Sequence, residues 1–260
     1  MLTDSHTHLY LKNFENDIDI VIQEAKKEGI NRFILPNIDE TTINKLIDLH
    51  KRYKNITYPL IGLHPCSVNK NYPKQIEKLF QKVKNTQFIG IGEIGIDLHW
   101  DKTLIEEQKS AFRTQIQWAK KLEIPIVIHC RKAFNEIYTI LKEENVKDVG
   151  GIFHCFSGTI KEAEKIIDLG FLLGIGGVIT FKNSNLSNII KDIPIEKIVL
   201  ETDAPYLAPH PMRGHRNEPK YLSIIAKQIA SIKSIDIHKI AEITSKNIDN
   251  LFFKKNQNII

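Results

Sequence analysis

The sequence carries two histidines, His6 and His8, close to its start and one residue apart. Residues 2–9 are predicted to form a short β-strand that carries both of them. Side chains alternate across a strand, so the two imidazoles are expected to point to the same side. Two imidazoles that converge in this way can bind one metal ion. A pair with this spacing also occurs by chance, so its interpretation depends on the rest of the chain.

Further histidines and carboxylates lie where other apolar segments end. In chain order they are His64, Glu93, His129, His154 and Asp203. With His64 set aside and the first two histidines included, the set contains four imidazoles and two carboxylates, which suit zinc, manganese or similar divalent ions. Six ligands exceed the needs of one tetrahedral zinc ion but fit two ions that share a carboxylate. Glu93 is the predicted shared ligand, because its strand lies between the two groups of histidines.

The elements that must position these residues follow a regular pattern. Apolar segments predicted as strands alternate with helical segments, and the strands are 2–9, 32–36, 57–63, 88–95, 125–129, 151–154, 171–176 and 197–203. Continuous runs of Val, Ile and Leu indicate parallel strands buried on both faces. Eight such units favour a (β/α)8 TIM barrel, predicted here as one domain over residues 1–260. The alternative, a doubly wound open sheet, calls for a glycine-rich turn after the first strand, where this chain has Asp-Ser-His-Thr-His.

Composition narrows the class of protein. The 260 residues are 42% hydrophobic and 26% charged, which is typical of globular proteins, and no apolar segment is long enough to span a membrane. No signal peptide is recognisable, and the three cysteines form no C-x-x-C motif, so we expect a cytoplasmic protein without disulfides. The net charge of +5 is compatible with a polyanionic substrate, although lysine-rich surfaces are more often simply hydrated.

Three residues near the predicted ligands have simpler interpretations. Glu201 lies two residues before Asp203 on the same predicted strand, so it should face the same side but deeper, and we expect it to hydrogen-bond the barrel interior or a ligand rather than bind metal. Cys130 and Cys155 each follow a predicted ligand histidine directly, so alternation turns them to the opposite side, where they are expected to pack.

Six motifs together resemble the TatD-like metal-dependent deoxyribonucleases, a family of the amidohydrolase-like TIM-barrel superfamily. The motifs are DSHTH at 4–8, GEIGID at 92–97, IHCR at 128–131, HCFSG at 154–158, ETDAPYL at 201–207 and RGHRNEP at 213–219. They span nearly the whole chain. The resemblance implies hydrolysis of DNA phosphodiester bonds with divalent metal, from a 3′ end and with single-stranded DNA as the expected partner.

The resemblance also implies how the ligands divide between two divalent ions, which would be magnesium, manganese or zinc. His6, His8, Glu93 and Asp203 would hold one ion, and Glu93, His129 and His154 would hold the other. In the resulting hypothesis Asp203 and Glu93 are the catalytic residues. Asp203 takes the proton of the attacking water, and Glu93 is the ligand that both ions share.

The same hypothesis assigns residues to the substrate. His64 and Arg131 are expected to bind the non-bridging oxygens of the phosphate. Tyr206 could stack on a nucleobase, as could Trp100 beside His99, although aromatic residues at a barrel mouth can equally cap the core. Arg213 and Arg216, in the late loop, are expected to follow the DNA backbone.

Two other functions remain open from the sequence. The same ligands would serve a hydrolase of amides, esters or lactones, because these bonds also need an activated water and a polarising cation. A binding protein without catalytic activity is the third possibility, but such proteins usually lose a ligand or the base, and here all six positions are present.

Overall fold

A sheet of eight parallel strands forms a nearly closed barrel with helices between the strands, which confirms the predicted TIM-barrel architecture. The computed structural model describes residues 1–100 and 102–253. Within these ranges the strands are β1 (Leu2–Asp4), β2 (Ile30–Leu35), β3 (Thr57–Ile61), β4 (Gly90–Asp97), β5 (Ile126–Arg131), β6 (Gly151–Phe153), β7 (Phe171–Ile175) and β8 (Ile198–Leu200). The helices are α1 (Ile18–Lys27), α2 (Ile43–Arg52), α3 (Tyr72–Lys82), α4 (Ile105–Leu122), α5 (Phe134–Glu143), α6 (Ile160–Asp168), α7 (Leu186–Asp192), α8 (Leu222–Lys233) and α9 (Ile237–Phe252).

The seam between β1 and β8 is closed by the segments that follow the two strands. The amide of Asp203 donates to the carbonyl of His6 at 2.9 Å, and the amide of His8 donates to the carbonyl of Ala204 at 2.8 Å. Thr7 and Ala204 form a parallel β-bridge between these bonds. The seam therefore aligns two stretches of chain that both carry predicted metal ligands.

Two apolar clusters stabilise the barrel. The smaller one fills its interior with buried residues of five strands, Ile34, Leu60, Val127, Ile152 and Val199, together with residues of α9. The ring of Phe252, near the end of α9, approaches Gly90 at the start of β4, so this helix packs at the amino-terminal end of the strands. The larger cluster lies between the strands and the surrounding helices. Buried polar residues, among them His6, Glu93 and His154, lie near the carboxyl-terminal ends of the strands.

Local sequence explains why the helices form where they do. In α1 the buried residues Val21, Ile22 and Ala25 recur at the spacing of one helical face. Helix α6 begins with a capping box, in which the Thr159 side chain accepts from the Glu162 amide and the Glu162 carboxylate accepts from the Thr159 amide. No helix in the described ranges combines the length and apolarity that crossing a membrane would require.

Strands β1 and β8 end further before their predicted ends than the other strands do. Strand β1 ends at Asp4 rather than at residue 9, and β8 ends at Leu200 rather than at residue 203. The Asp4 carboxylate accepts hydrogen bonds from the amides of His6 and Thr202 and from the Thr202 hydroxyl, so side-chain bonds add to the backbone bonds of the seam here. The expectation that Asp203 and Glu201 share one face of a strand was therefore wrong.

We expect Gly95→Ala to lower the free energy of unfolding by roughly 3 kcal/mol or more. Gly95 has a φ of +142°, and a β-carbon there would lie 2.0 Å from the carbonyl oxygen of His129. Urea denaturation would measure the effect. The matched control is Gly214→Ala, where φ is +88° but nothing lies within 4 Å of the new atom, so a loss of only about 1 kcal/mol is expected. Equal losses in the two variants would contradict the steric explanation.

Candidate metal centre

The carboxylate of Glu93 lies between two groups of histidines. Glu93 is in β4 and only 2% of the residue is exposed. Its Oε2 atom is 3.1 Å from Nε2 of His6 and 3.7 Å from Nε2 of His8. Its Oε1 atom is 2.9 Å from Nδ1 of His129 and 2.9 Å from Nε2 of His154. Each oxygen therefore faces a different group, which is the arrangement that a shared ligand would need.

The first group gathers around the β1–β8 seam. Oδ1 of Asp203 is 3.7 Å from Nε2 of His6 and 3.5 Å from Nε2 of His8, and the two Nε2 atoms are 3.3 Å apart. Asp203 has a φ of +58°, and this left-handed conformation turns its carboxylate toward the histidines at the point where the chain leaves β8. The two histidines lie just beyond β1, but their rings still converge as predicted.

The second group contains a third histidine. Besides His129 and His154, it includes His64, whose Nε2 is 3.5 Å from Oε1 of Glu93 and whose ring centroid is 4.5 Å from that of His129. His64 follows β3, where its Nδ1 accepts a hydrogen bond from the Cys66 amide. A neutral ring with this acceptor carries its proton on Nε2 and donates it toward Glu93. His64 is thus placed at the cluster but oriented as a hydrogen-bond donor.

The far nitrogen of His8 is held by Tyr10. The Tyr10 hydroxyl donates its proton to the carbonyl of Pro36 at 2.6 Å, so toward Nδ1 of His8, at 2.9 Å, it can only accept. His8 therefore carries its proton on Nδ1 and directs the lone pair of Nε2 toward the cluster. The sequence analysis missed Tyr10, although its position two residues after His8 continues the alternation of the histidine pair.

Two buried carboxylates hold the other rings in the same way. Oδ2 of Asp97 lies 2.8 Å from Nε2 of His129, and Oε1 of Glu201 lies 3.2 Å from Nδ1 of His154. Each carboxylate binds the ring nitrogen that points away from Glu93, and such partners fix the tautomer of a metal-binding histidine. Glu201 has the role expected for it. Asp97 was missed because the predicted strand stopped at residue 95, two residues short of its end in the structure.

The donor atoms fit a divalent cation. In the tautomers set by their far partners, His8, His129 and His154 direct lone pairs at carboxylate oxygens, and a cation between these atoms would remove their mutual repulsion. Three overlapping sets have ligand atoms within 4.8 Å of one another: His6–His8–Asp203, His6–Glu93–His154 and His64–Glu93–His129. All six predicted ligands are therefore brought together, and the residues could hold more than one ion.

The electrostatics keep both central carboxylates ionised. Burial opposes the charge on Glu93, but the surrounding rings of His154, His64 and His6 outweigh it and lower the pKa of that carboxyl well below its usual value. Burial likewise opposes the charge on Asp203, but the neighbouring rings of His8, His154 and His6 outweigh it and lower the pKa of that carboxyl. The pKa of His6 is lowered by burial and by the neighbouring His154, which keeps its ring available as a neutral ligand.

The residues predicted to bind substrate are spread around this centre. The ring of Tyr206 is half exposed and its centroid is 6.0 Å from that of His8. Arg131 is exposed, and its guanidinium lies 5.2 Å from the centroid of the Trp100 ring. The guanidinium of Arg213 lies 4.0 Å from the centroid of Phe181.

Arg216 is engaged by the protein itself. Its guanidinium forms ion pairs with Asp17 at 2.6 Å and Glu218 at 2.9 Å, and it lies 4.7 Å from the ring centroid of Phe14. These contacts brace the late loop against the start of α1. The predicted contact of Arg216 with a DNA backbone stays a prediction, and it would require these ion pairs to open.

Comparisons with known proteins agree with this architecture. The profile of the family described as TatD related DNase matches residues 3–253. A Bacillus subtilis protein described as the uncharacterized metal-dependent hydrolase YabD is 39% identical over 253 residues, covering 97% of this chain and 99% of the relative. Escherichia coli YcfH, which has the same description, is 31% identical over 96% of this chain and 95% of its own length. The crystal structure of the TatD homologue YjjV from E. coli superposes with a TM-score of 0.91 at 27% identity, covering 96% and 97% of the two chains.

We expect Glu201→Gln to weaken metal binding by about 10- to 100-fold, because the amide would hold His154 less firmly than the carboxylate does. Glu201 is fully buried and its Oε1 also accepts from the Cys155 amide at 2.6 Å, so the side chain has no other position to adopt. Competition with a chromophoric chelator would measure the affinity. Glu24→Gln, which changes an exposed carboxylate paired with Lys27, is the control. A metal affinity that is unchanged in both variants would show that Glu201 does not contribute to metal binding.

Proposed function

This chain belongs to the family of TatD-related DNases and is a metal-dependent hydrolase, and we propose that it hydrolyses phosphodiester bonds of DNA from a 3′ end. The observation that carries this proposal is the position of the Glu93 carboxylate, whose two oxygens face two separate groups of ligands. Two cations on either side of one carboxylate suit phosphodiester hydrolysis, because both the attacking and the leaving oxygen develop charge that must be stabilised.

The ligands divide around Glu93 as the family resemblance implies. His6, His8 and Asp203 would hold one divalent ion with Glu93, and His129 and His154 would hold the other. Magnesium, manganese and zinc all suit these nitrogen and oxygen donors. Bound there, such ions lower the pKa of water and neutralise charge on phosphate oxygens.

Asp203 is the proposed general base. Its pKa is lowered, so the carboxylate is ready to accept a proton at neutral pH. Its side chain is 13% exposed, whereas that of Glu93 is only 3% exposed, so water can reach Asp203 more readily. The bond from the Asp203 amide to the His6 carbonyl holds the base in register with the first group of ligands.

His64 and Arg131 are the proposed phosphate ligands. The N–H group at Nε2 of His64 points into the centre, toward Glu93. In the substrate complex this group could donate its hydrogen bond to a non-bridging oxygen of the phosphate instead. The guanidinium of Arg131 offers a second set of donors from the neighbouring β5. Within residues 1–100 and 102–253, no carboxylate forms an ion pair with Arg131, so its charge is available to a polyanion.

The three free thiols are compatible with action in a reducing cytoplasm.

Hydrolysis of a small amide, ester or lactone is the second candidate, and one observation favours it. A cavity of about 520 Å³ lies beside His154, and its wall includes the rings of Phe134, Phe153 and Phe156. The wall also carries charged residues, Arg131 and Glu162 among them, so the cavity could take a small molecule with both apolar and polar groups. The centre itself suits either reaction, so substrates must decide between them.

We expect a 5′-labelled single-stranded oligonucleotide to shorten from its 3′ end when the protein is supplied with Mg²⁺ or Mn²⁺. Denaturing gel electrophoresis would show the products as a ladder. Two controls should leave the oligonucleotide intact: addition of EDTA, and the double variant His129→Ala/His154→Ala, which removes two of the proposed ligands. An intact oligonucleotide with protein that holds metal would contradict the proposal, and release of acid from a panel of lactones and esters would then support the second candidate.

We expect Asp203→Asn to reduce kcat on the oligonucleotide by about 10²- to 10⁴-fold, because an amide cannot accept the proton of the attacking water. Circular dichroism should remain that of the unmodified protein, and much of the metal should still bind. Asp48→Asn, at a carboxylate whose side chain is 74% exposed on α2, is the matched control and should retain full activity. Retention of activity within about tenfold in Asp203→Asn would exclude this residue as the base.

A further inference from the structure

The indole of Trp100 is 73% exposed, the highest value among the large apolar side chains of the described residues. The other tryptophan, Trp118, is buried in α4 with 8% exposure and packs against Phe80. An exposed indole gives up the apolar burial that this side chain usually contributes. Packing in the core therefore does not explain why a tryptophan stands at this position.

Trp100 is held close to the candidate centre by hydrogen bonds. The preceding residue, His99, donates its amide to Oδ1 of Asp97 at 2.8 Å, and Oδ2 of the same carboxylate contacts the ring of His129. The amide of Leu98 donates to the carbonyl of Arg131 at 2.9 Å, which continues the pairing of β4 with β5. The indole thus stands at the rim of the barrel, three residues from a side chain that orients a candidate ligand.

A cation and a second ring contact this indole. The guanidinium of Arg131 lies 5.2 Å from its centroid, and the ring of His99 meets it edge to face at 4.8 Å. Lys132, also exposed, follows Arg131. No carboxylate in the part of the chain that the structure describes forms an ion pair with Arg131 or Lys132. A flat apolar ring beside exposed positive charge matches a nucleotide, which has an aromatic face and a phosphate.

We propose that Trp100 and Arg131 form a nucleotide subsite at the rim, where the indole stacks on an unpaired base and the guanidinium binds the adjacent phosphate. This subsite rests on the proposed hydrolysis of DNA. Tyr206 lies beside His8, on the opposite side of Glu93 from His129. A single strand that crosses the centre would therefore meet one exposed aromatic ring on each side of the bond to be cut. An apolar acyl chain fits this position less well, because it would leave the guanidinium without an anionic partner.

The chain has only two tryptophans, so Trp118→Phe leaves Trp100 as the sole indole and makes its fluorescence specific to the subsite. We expect a hydrolysis-resistant phosphorothioate hexathymidylate to quench this fluorescence until the metal-loaded protein is saturated. An abasic strand with the same phosphorothioate backbone should bind, as fluorescence anisotropy of a labelled strand would show, but should cause little quenching. The contrast between the two strands separates stacking from attraction of the phosphates.

Kinetics in the protein that retains Trp118 provide a second test. Trp100→Ala should raise KM for single-stranded hexathymidylate about tenfold while kcat changes little, and Trp100→Phe should keep KM within about threefold because it retains a ring. Ile20→Ala removes another exposed apolar side chain, 62% exposed on α1, and should leave both constants unchanged.

The outcomes distinguish the subsite from the proposed function. Hydrolysis of DNA without quenching, and with an unchanged KM in Trp100→Ala, would overturn the subsite and leave the nuclease proposal intact. Quenching without hydrolysis would support the subsite and overturn the nuclease proposal. The absence of both hydrolysis and binding would overturn both, and quenching by a long-chain lactone instead of the oligonucleotide would assign the indole to the small-molecule alternative.

Discussion

The buried charge of Glu93 is the constraint on which the rest of the centre depends. An isolated carboxylate in such a position would be costly, and here the rings of His6, His129 and His154 surround it at 2.9–3.1 Å. His129 lies in β5, whereas His6 and His154 follow β1 and β6, and the barrel arrangement of the strands brings the three rings together. The barrel thus places one carboxylate between two groups of ligands. Because several of these ligands are already oriented, little reorganisation would be needed when a cation binds.

The seam of the barrel has a chemical as well as a mechanical role. Asp4 accepts hydrogen bonds from the amide of His6 and from Thr202, so one buried side chain joins the start of the chain to the segment that carries Asp203. Backbone bonds from the Asp203 amide to His6 and from the His8 amide to Ala204 continue this connection, so the proposed base and two candidate ligands are held together just beyond the strands.

Much of this arrangement could be predicted from sequence, because apolar periodicity and residues at strand ends are local signals. Periodicity predicts the eight strands, and a barrel then brings the ends of β4, β5 and β6 together. The differences arise where one side chain acts at a distance. Asp4 shortens β1, the Cys66 amide selects the tautomer of His64, and Asp17 engages the guanidinium of Arg216 across 199 residues. The apolar periodicity of the sequence does not predict such pairings, because they depend on which loops meet after folding.

The structure separates the residues that define the reaction from those that select the substrate. Three of the ligands around Glu93 have their far nitrogens held by Tyr10 or by carboxylates, namely His8, His129 and His154, and they support hydrolysis without specifying the bond. Selection must come from what surrounds them, and two candidate surfaces share Arg131: the exposed rim, where it lies beside Trp100, and the cavity beside His154, whose wall joins aromatic rings to charged residues. A polyanion with flat bases would suit the rim, and a small molecule with both apolar and charged groups would suit the cavity. Arg131 ends β5 and Phe153 ends β6, so both surfaces begin at strand ends beside candidate ligands and continue into the loops that follow, where barrels of this kind vary their substrates.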